Sequence, residues 1–253
     1  LPYDRSVMTK DMLALETIID DELGESDGPA KPENEVTITL TYPHWRSGTL
    51  PVSTRTRQSF PTAYESERVR FVLLDEASKE EIPAWVVRKS RYVAGLKNVF
   101  QKYGLIPGSL VTLRKGERPG QVIFEARVRR PTRDWVRTVL VGSDGGLVFA
   151  NLKQNLTTEF NDRMVVAVPD VAGVDAACEK IQKQKIPFDK LVASMMLELT
   201  KLNVQGHIHA QELYSAINII RRCPVGPLLT HLAQTPGYKH VGDMHYRITE
   251  VEE

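Results

Sequence analysis

The sequence predicts an α+β chain, with a β-rich, barrel-like domain followed by a helical domain that closes on a hairpin. Two observations set that order. Between Glu35 and Asp170, short runs rich in Val, Ile, Thr and Phe alternate with Gly, Pro, Asn and Asp turns, which is the mark of successive strands. Beyond Pro169–Gly173 the apolar residues recur three and four apart, the period of a helix. A third observation bears on function, because a net charge of +1 hides a strong asymmetry along the chain. Residues 1–35 hold ten acids against Arg5, Lys10 and Lys31, a net of −7, while residues 86–138 hold thirteen Lys and Arg against three acids, a net of +10.

In chain order, Met8 to Leu23 reads as an amphipathic acidic helix with Met12, Leu13, Leu15, Ile18 and Ile19 on its apolar side. Residues 24–34 read as a Gly- and Pro-containing linker, so 1–34 form a lead-in. The β domain is expected over 35–170. Its strands are placed at Val36–Thr41, Gly48–Ser53, Arg68–Leu74, Ile82–Val87, Ser109–Leu113, Val122–Val128, Val136–Val141, Leu147–Phe149 and Met164–Val168. One helix, Val93 to Tyr103, interrupts them. Residues 171–253 are expected to hold helices at Val174–Lys183, Phe188–Leu202 and His209–Arg222. A short helix follows from Pro224, and a hairpin over Tyr238–Ile248 has its tip at Gly242–Asp243. Helices closed by a two-stranded wing describe a winged-helix-like domain.

Several classes are set aside. No run approaches eighteen apolar residues, so no membrane span is expected. The first residues lack the basic-then-apolar order of a signal peptide, and a start on Leu1 is the start expected of a fragment or processed product. Two cysteines, Cys178 and Cys223, do not make a disulfide framework. They fit a reducing cytoplasm, with a nucleoid association if the source is bacterial. Both lie on helical apolar patterns and read as buried fillers. The pairs His207/His209 and His240/His245 lack the spacing of a zinc site. No glycine-flanked serine elbow or phosphate loop occurs, and the clustered carboxylates with lysine of a metal nuclease are missing. No catalysis, metal or cofactor is expected.

The most informative stretch runs from Trp85 to Leu113. A strand ends in the basic turn Arg88-Lys-Ser-Arg91, a short helix follows, and Pro107-Gly108 launches another strand. With Gly48–Ser53, Phe60-Pro61 and Val69–Asp75 upstream, residues 37–113 resemble the DNA-binding pseudobarrel family that includes the plant B-three domain and the effector domain of the EcoRII restriction enzyme. The resemblance implies two arms that grip the major groove of double-stranded DNA. The first would be Tyr42–Gly48, with Arg46 and Ser47 best placed and Arg55 and Arg57 on its flank. The second would be Arg88, Lys89, Ser90 and Arg91, shorter than the plant version. Arginine forks onto guanine, whereas Lys89 and Ser90 suit phosphates. Arg114, Lys115, Arg127, Arg129 and Arg130 are expected to hold the DNA backbone.

In the helical domain the expected recognition helix is His209–Arg222, offering Gln211, Asn218, Arg221 and Arg222, with Lys239 or His240 on the wing. Trp45, Trp85 and Trp135 are expected in the core, with stacking on DNA from the first arm as the alternative for Trp45. The sequence thus predicts a non-catalytic DNA-binding protein, a transcriptional regulator or the recognition part of a defence or restriction system. The alternative is an interaction scaffold that meets a protein partner through the acidic helix or the winged helix.

Overall fold

A computed structural model describes residues 2–25, 33–63 and 65–249; part of the expected linker, residues 26–32, lies outside the described residues. After a 3-10 turn at Arg5–Val7 come α1 (Lys10–Ile19), β1 (Glu35–Thr39), α2 (Tyr42–Ser47), β2 (Thr49–Pro51) and a second 3-10 turn at Thr56–Gln58. Next are β3 (Arg68–Asp75), β4 (Glu81–Val87), β5 (Tyr92–Ala94), α3 (Lys97–Lys102), β6 (Leu110–Lys115), β7 (Gln121–Ala126), β8 (Val128–Val141) and β9 (Leu147–Thr158). The chain continues with α4 (Val171–Lys183), α5 (Phe188–Thr200), β10 (His207–His209), α6 (Ala210–Ile220), α7 (Val225–Gln234), β11 (Tyr238–Gly242) and β12 (His245–Ile248). The fold is mixed α+β with a curled half-barrel sheet.

Two compact units divide the chain. Asp20–Thr132 with Asn155–Asn161 form one, here the barrel unit; Leu1–Ile19, Arg133–Gln154 and Asp162–Glu253 form the other, the helical unit. The units do not follow the boundary expected at residue 170. The reason lies in β8 and β9, which run 14 and 12 residues where short separate strands were expected, and each belongs to both units. Residues 164–168 form no strand of their own; Ala167 makes an isolated parallel bridge to Thr138.

In the barrel unit seven strands take the order β1-β6-β7-β3-β4-β5-β2, antiparallel except for the β3–β7 pair. Alternation decides what lies inside. Phe71 and Leu73 of β3, Ala84 and Val86 of β4, Val111 and Leu113 of β6, and Val122 and Phe124 of β7 form one buried cluster with Val93, Leu96 and Phe100. Each large side chain removed from water contributes about 1.5–3 kcal/mol. The same period places Trp85, between Ala84 and Val86, on the outer face, where it is 38% exposed rather than in the core. It also carries Asp75 inward after Leu73. That buried carboxylate is satisfied locally by Ala77 N, Ser78 Oγ, Tyr103 Oη and Lys102 Nζ. Burial pulls the Asp75 carboxyl upward, but the bonds from Ser78, Tyr103 and Lys102 outweigh it and hold the group below its ordinary value.

Two short elements differ from expectation. Residues 42–47 are not an extended arm: Pro43 sits in the first turn of α2, and Gly48 closes the helix in the left-handed region with φ 66°. A Cβ on Gly48 would lie 2.6 Å from the Lys97 backbone, so only glycine fits. The helix expected from Val93 begins at Lys97 instead, because Tyr92–Ala94 is a strand paired on both sides, with β4 and with β2.

In the helical unit α6 is the central element, with every residue from Ala210 to Ile220 buried except Glu212. His209 caps its start by accepting from Gln211 N. α5, β10, α6, α7, β11 and β12 follow in that order, and β10 pairs with β12, giving a sheet β10-β12-β11. The hairpin tip falls one residue later than expected, at Asp243 and Met244, both at positive φ as a primed turn requires. α1 ends at Ile19, short of the expected Leu23, and the 3-10 turn and α1 pack on α7. There Tyr3 donates to Glu16 Oε1 at 2.6 Å and Arg5 pairs with Glu16 at 3.0 Å.

Candidate nucleic-acid interface

The register of β2, β5 and β4 sorts the two expected arms. Pro51 pairs with Tyr92 and Tyr92 with Val87, so the residues after Pro51 lie beside the Arg88–Arg91 turn. Val52 N accordingly donates to the Arg91 carbonyl at 2.8 Å. At the other end of β2, Thr49 pairs with Ala94, and α2 lies beside Leu96, whose N donates to the Gly48 carbonyl at 3.0 Å. Arg55 and Arg57 therefore accompany the second arm, while Arg46 and Ser47 sit on α2 at the opposite end of a three-residue strand.

One residue touches both ends. The Glu22 carbonyl accepts from Arg91 Nη1 at 2.9 Å, and its carboxylate meets His44 Nε2 of α2 at 3.1 Å. α2 and the Arg88–Arg91 turn thus lie within reach of a single residue, through its buried carboxylate on one and its backbone carbonyl on the other.

Between them the loop after β2 presents a compact donor set. Ser53 Oγ donates to Asp20 Oδ2 at 2.5 Å, Arg55 N donates to the same oxygen at 3.0 Å, and Thr54 N donates to Asp20 Oδ1 at 3.2 Å. Burial pushes the Asp20 carboxyl above its ordinary value, against the bonds from Ser53 and Arg55. The Arg55 guanidinium forks onto Glu33 at 3.2 and 3.0 Å, which lowers the Glu33 carboxyl and raises Arg55. Arg57 is exposed, as are Lys89, Ser90 and Arg91. Arg88 donates through Nη1 to the Ala63 carbonyl and lines a shallow cleft with Lys89 and Glu67. Arg91 holds φ 54°, a left-handed backbone rare for a side chain of its size, and such outliers gather where a site fixes them.

The other expected backbone-holding cations are not gathered there. Arg114 shares a row with Ile123, Leu74 and Glu81, at the opposite end of β3 and β4 from the Arg68–Val87–Tyr92–Pro51 row, and exposed Lys115 lies next to it. Arg114 pairs with Glu76 at 2.8 Å, and Arg127 pairs with Glu159 at 3.2 Å. Arg129 lies over the Phe160 ring at 4.7 Å and donates to Thr132 Oγ1, leaving Arg130 exposed in this group.

In the helical unit the expected recognition helix is corrected: α6 is interior. Asn218 is 2% exposed, donates to the Tyr214 and Cys223 carbonyls, and accepts from Cys223 N and Arg222 Nη1. Gln211 is also buried, and Arg221 donates to the Ile186 carbonyl. Arg222 closes the end of α6, and Arg221 is tied to the segment before α5. Lys239 and His240 are exposed on the wing, with Lys239 paired across the ladder to exposed Arg247.

Other chemistry finds little room. Thr49 Oγ1, His44 Nδ1 (2.8 Å) and Glu22 Oε1 form a hydroxyl–imidazole–carboxylate line. All three residues are less than a tenth exposed, so no substrate carbonyl reaches the hydroxyl, and the line is a buried pin. Among the described residues no group of three His, Cys, Asp or Glu is disposed to hold a metal. Cys178 and Cys223 are buried as expected, and burial lifts the Cys178 thiol to about 11. Trp45 spends its indole N–H on the Leu105 carbonyl at 2.6 Å and is not poised to stack on DNA. Trp135, expected in the core, is 66% exposed with Lys153 Nζ over its ring. No described helix is long and apolar enough to cross a membrane. Compared with protein-family models and with curated proteins, the chain matches none.

Proposed function

We propose that this chain is a non-catalytic protein that binds double-stranded DNA through the barrel unit, as a transcriptional regulator or as the recognition part of a defence or restriction system. The observation that carries the reading is the single residue, Glu22, that reaches both α2 and the Arg88–Arg91 turn. In this reading the face between them meets the duplex. Arg55, Arg57, Lys89, Ser90 and Arg91 contact phosphates, and Arg46 and Arg88 exchange their present partners for base edges. The pseudobarrel resemblance of residues 37–113 supplies the mode, two arms on one side of a curled sheet. Arg114 and Arg127, held by carboxylates, have at most a peripheral part, as have Lys115, Arg129 and Arg130.

A second reading applies to the helical unit. Helix, strand, two helices and two strands, with the first strand paired to the last, is the winged-helix order. In that order the groove-entering helix is α7, Val225–Gln234, which contains no Lys or Arg and is largely buried. This unit is therefore proposed as a protein-docking module, with the exposed wing at Lys239, His240 and Arg247 as its polar edge. Anisotropy titration of a labelled duplex tests the DNA reading: Arg55→Ala with Arg91→Ala weakens binding at least tenfold, and Arg221→Ala leaves it unchanged.

A further inference from the structure

The barrel unit has an unusual occupant on the face assigned to DNA: its own acidic residues. Asp20 draws a hydroxyl and two successive backbone amides, from Ser53, Thr54 and Arg55, onto one carboxylate. Such a set suits the oxygens of a phosphate equally well. Glu33 takes the two-pronged edge of Arg55, which is the geometry guanidinium also offers a phosphate. Glu22 takes Arg91 with its carbonyl and His44 with its carboxylate. Asp20 and Glu33 thus engage donors that a bound duplex would need, on the loop after β2, while the Glu22 carboxylate is buried against His44 and takes no part.

We propose that Asp20 and Glu33 act as an internal phosphate mimic that covers the Ser53–Arg55 part of the DNA-contacting face and is displaced when a duplex binds. The inference rests on the DNA reading above and adds its regulation. The mimic is built to yield. Asp20 sits at φ 50°, in the left-handed region, and burial opposes its ionisation. The Arg55–Glu33 pair is about one-third exposed on each side, and exposed pairs contribute little. A duplex presents many phosphates at once and releases counterions as it docks. Covering the face lowers the apparent affinity in proportion to the uncovered fraction, so a face open one part in ten binds about tenfold more weakly than a free one.

The test is anisotropy of a labelled mixed-sequence duplex with the full chain and its variants at one low salt concentration, with thermal melts beside each. The double variant D20A/E33Q should bind about tenfold more tightly than the unaltered protein, and adding R55A should erase the gain. Glu33 is a surface residue, so E33Q alone tests the idea even if removing Asp20 loosens the fold; it should tighten binding about threefold. If the unaltered protein binds and both E33Q and D20A/E33Q bind no tighter, the mimic is refuted while the DNA reading stands. If neither the unaltered protein nor the folded variants bind the duplex, both fall.

Discussion

Asp75→Asn removes one charge from the inner end of β3 and changes almost nothing in volume. The side chain of Asp75 is 1% exposed and accepts from Ser78 Oγ at 2.6 Å, Tyr103 Oη at 2.6 Å, Lys102 Nζ at 3.1 Å and Ala77 N at 3.2 Å. Hydrogen bonds to a buried charge contribute about 1.5–3 kcal/mol each, and breaking a buried pair from one side costs about 3–5 kcal/mol. An amide keeps one acceptor oxygen but points an N–H₂ at groups that are themselves donors. Lys102 retains Glu80 at 3.1 Å and is 40% exposed, which moderates the loss. About 3 kcal/mol is therefore expected for the barrel unit, a drop of roughly 1.5 M in the urea midpoint at a slope of about 2 kcal/mol/M.

The pH dependence carries a sign. Because the folded carboxyl is held below its ordinary value, the unfolded chain takes up the proton first. The stabilisation is present above about pH 4 and is lost as pH falls through the folded value. Urea melts of the two proteins at pH 7 and pH 3 should show a gap that narrows in acid. Equal midpoints at pH 7, or a gap of constant size, would refute the assignment of Asp75 as the anchor of the β3–β4 turn and α3.

Three further changes probe other joints. Gly48→Ala forces a left-handed alanine whose Cβ meets the Lys97 backbone at 2.6 Å, and should cost about 3 kcal/mol or more in denaturant melts. Asn218→Ala leaves the buried Cys223 amide without its acceptor and takes one donor each from the Tyr214 carbonyl and from the Cys223 carbonyl, which keeps Arg222, for a loss of about 2 kcal/mol in the helical unit. His209 is held neutral, its value lowered to about 4 by burial, Arg163 and His245. Its share of the stability is therefore present above about pH 6.5 and fades as pH falls toward 4. His209→Asn, which still caps a helix but does not titrate, should show a smaller fall in melting temperature between pH 7 and pH 5.

Several strands of the barrel unit were legible as β-branched runs in which buried Phe71/Leu73, Ala84/Val86 and Val122/Phe124 alternate with less buried neighbours such as Val72, Trp85 and Ile123. That same period would have turned Trp85 outward, had it been applied to the tryptophan. Some short elements left no such trace. α2, β5 and β10 are shorter than the window in which a period shows, and they are fixed by partners far along the chain. α6 was mistaken for a recognition helix because Gln211, Asn218, Arg221 and Arg222 look like groove contacts. Gln211 is buried, Arg221 is spent on the Ile186 carbonyl, and Asn218 with Arg222 closes the helix end, none of which residue type alone reveals. The acids at 20–33 were visible as charge, but the seat of Asp20 on Ser53–Arg55 and of Glu33 on Arg55 depends on contacts 22 to 35 residues away.

The salt dependence of duplex binding by the unaltered full chain measures the central claim most directly. With Arg55, Arg57, Lys89 and Arg91 each meeting a phosphate, the slope of log affinity against log salt should be about −3.6, a loss of roughly 150-fold for a fourfold rise in salt. A slope near zero, or no retention of DNA at low salt by protein that melts cooperatively, would contradict it.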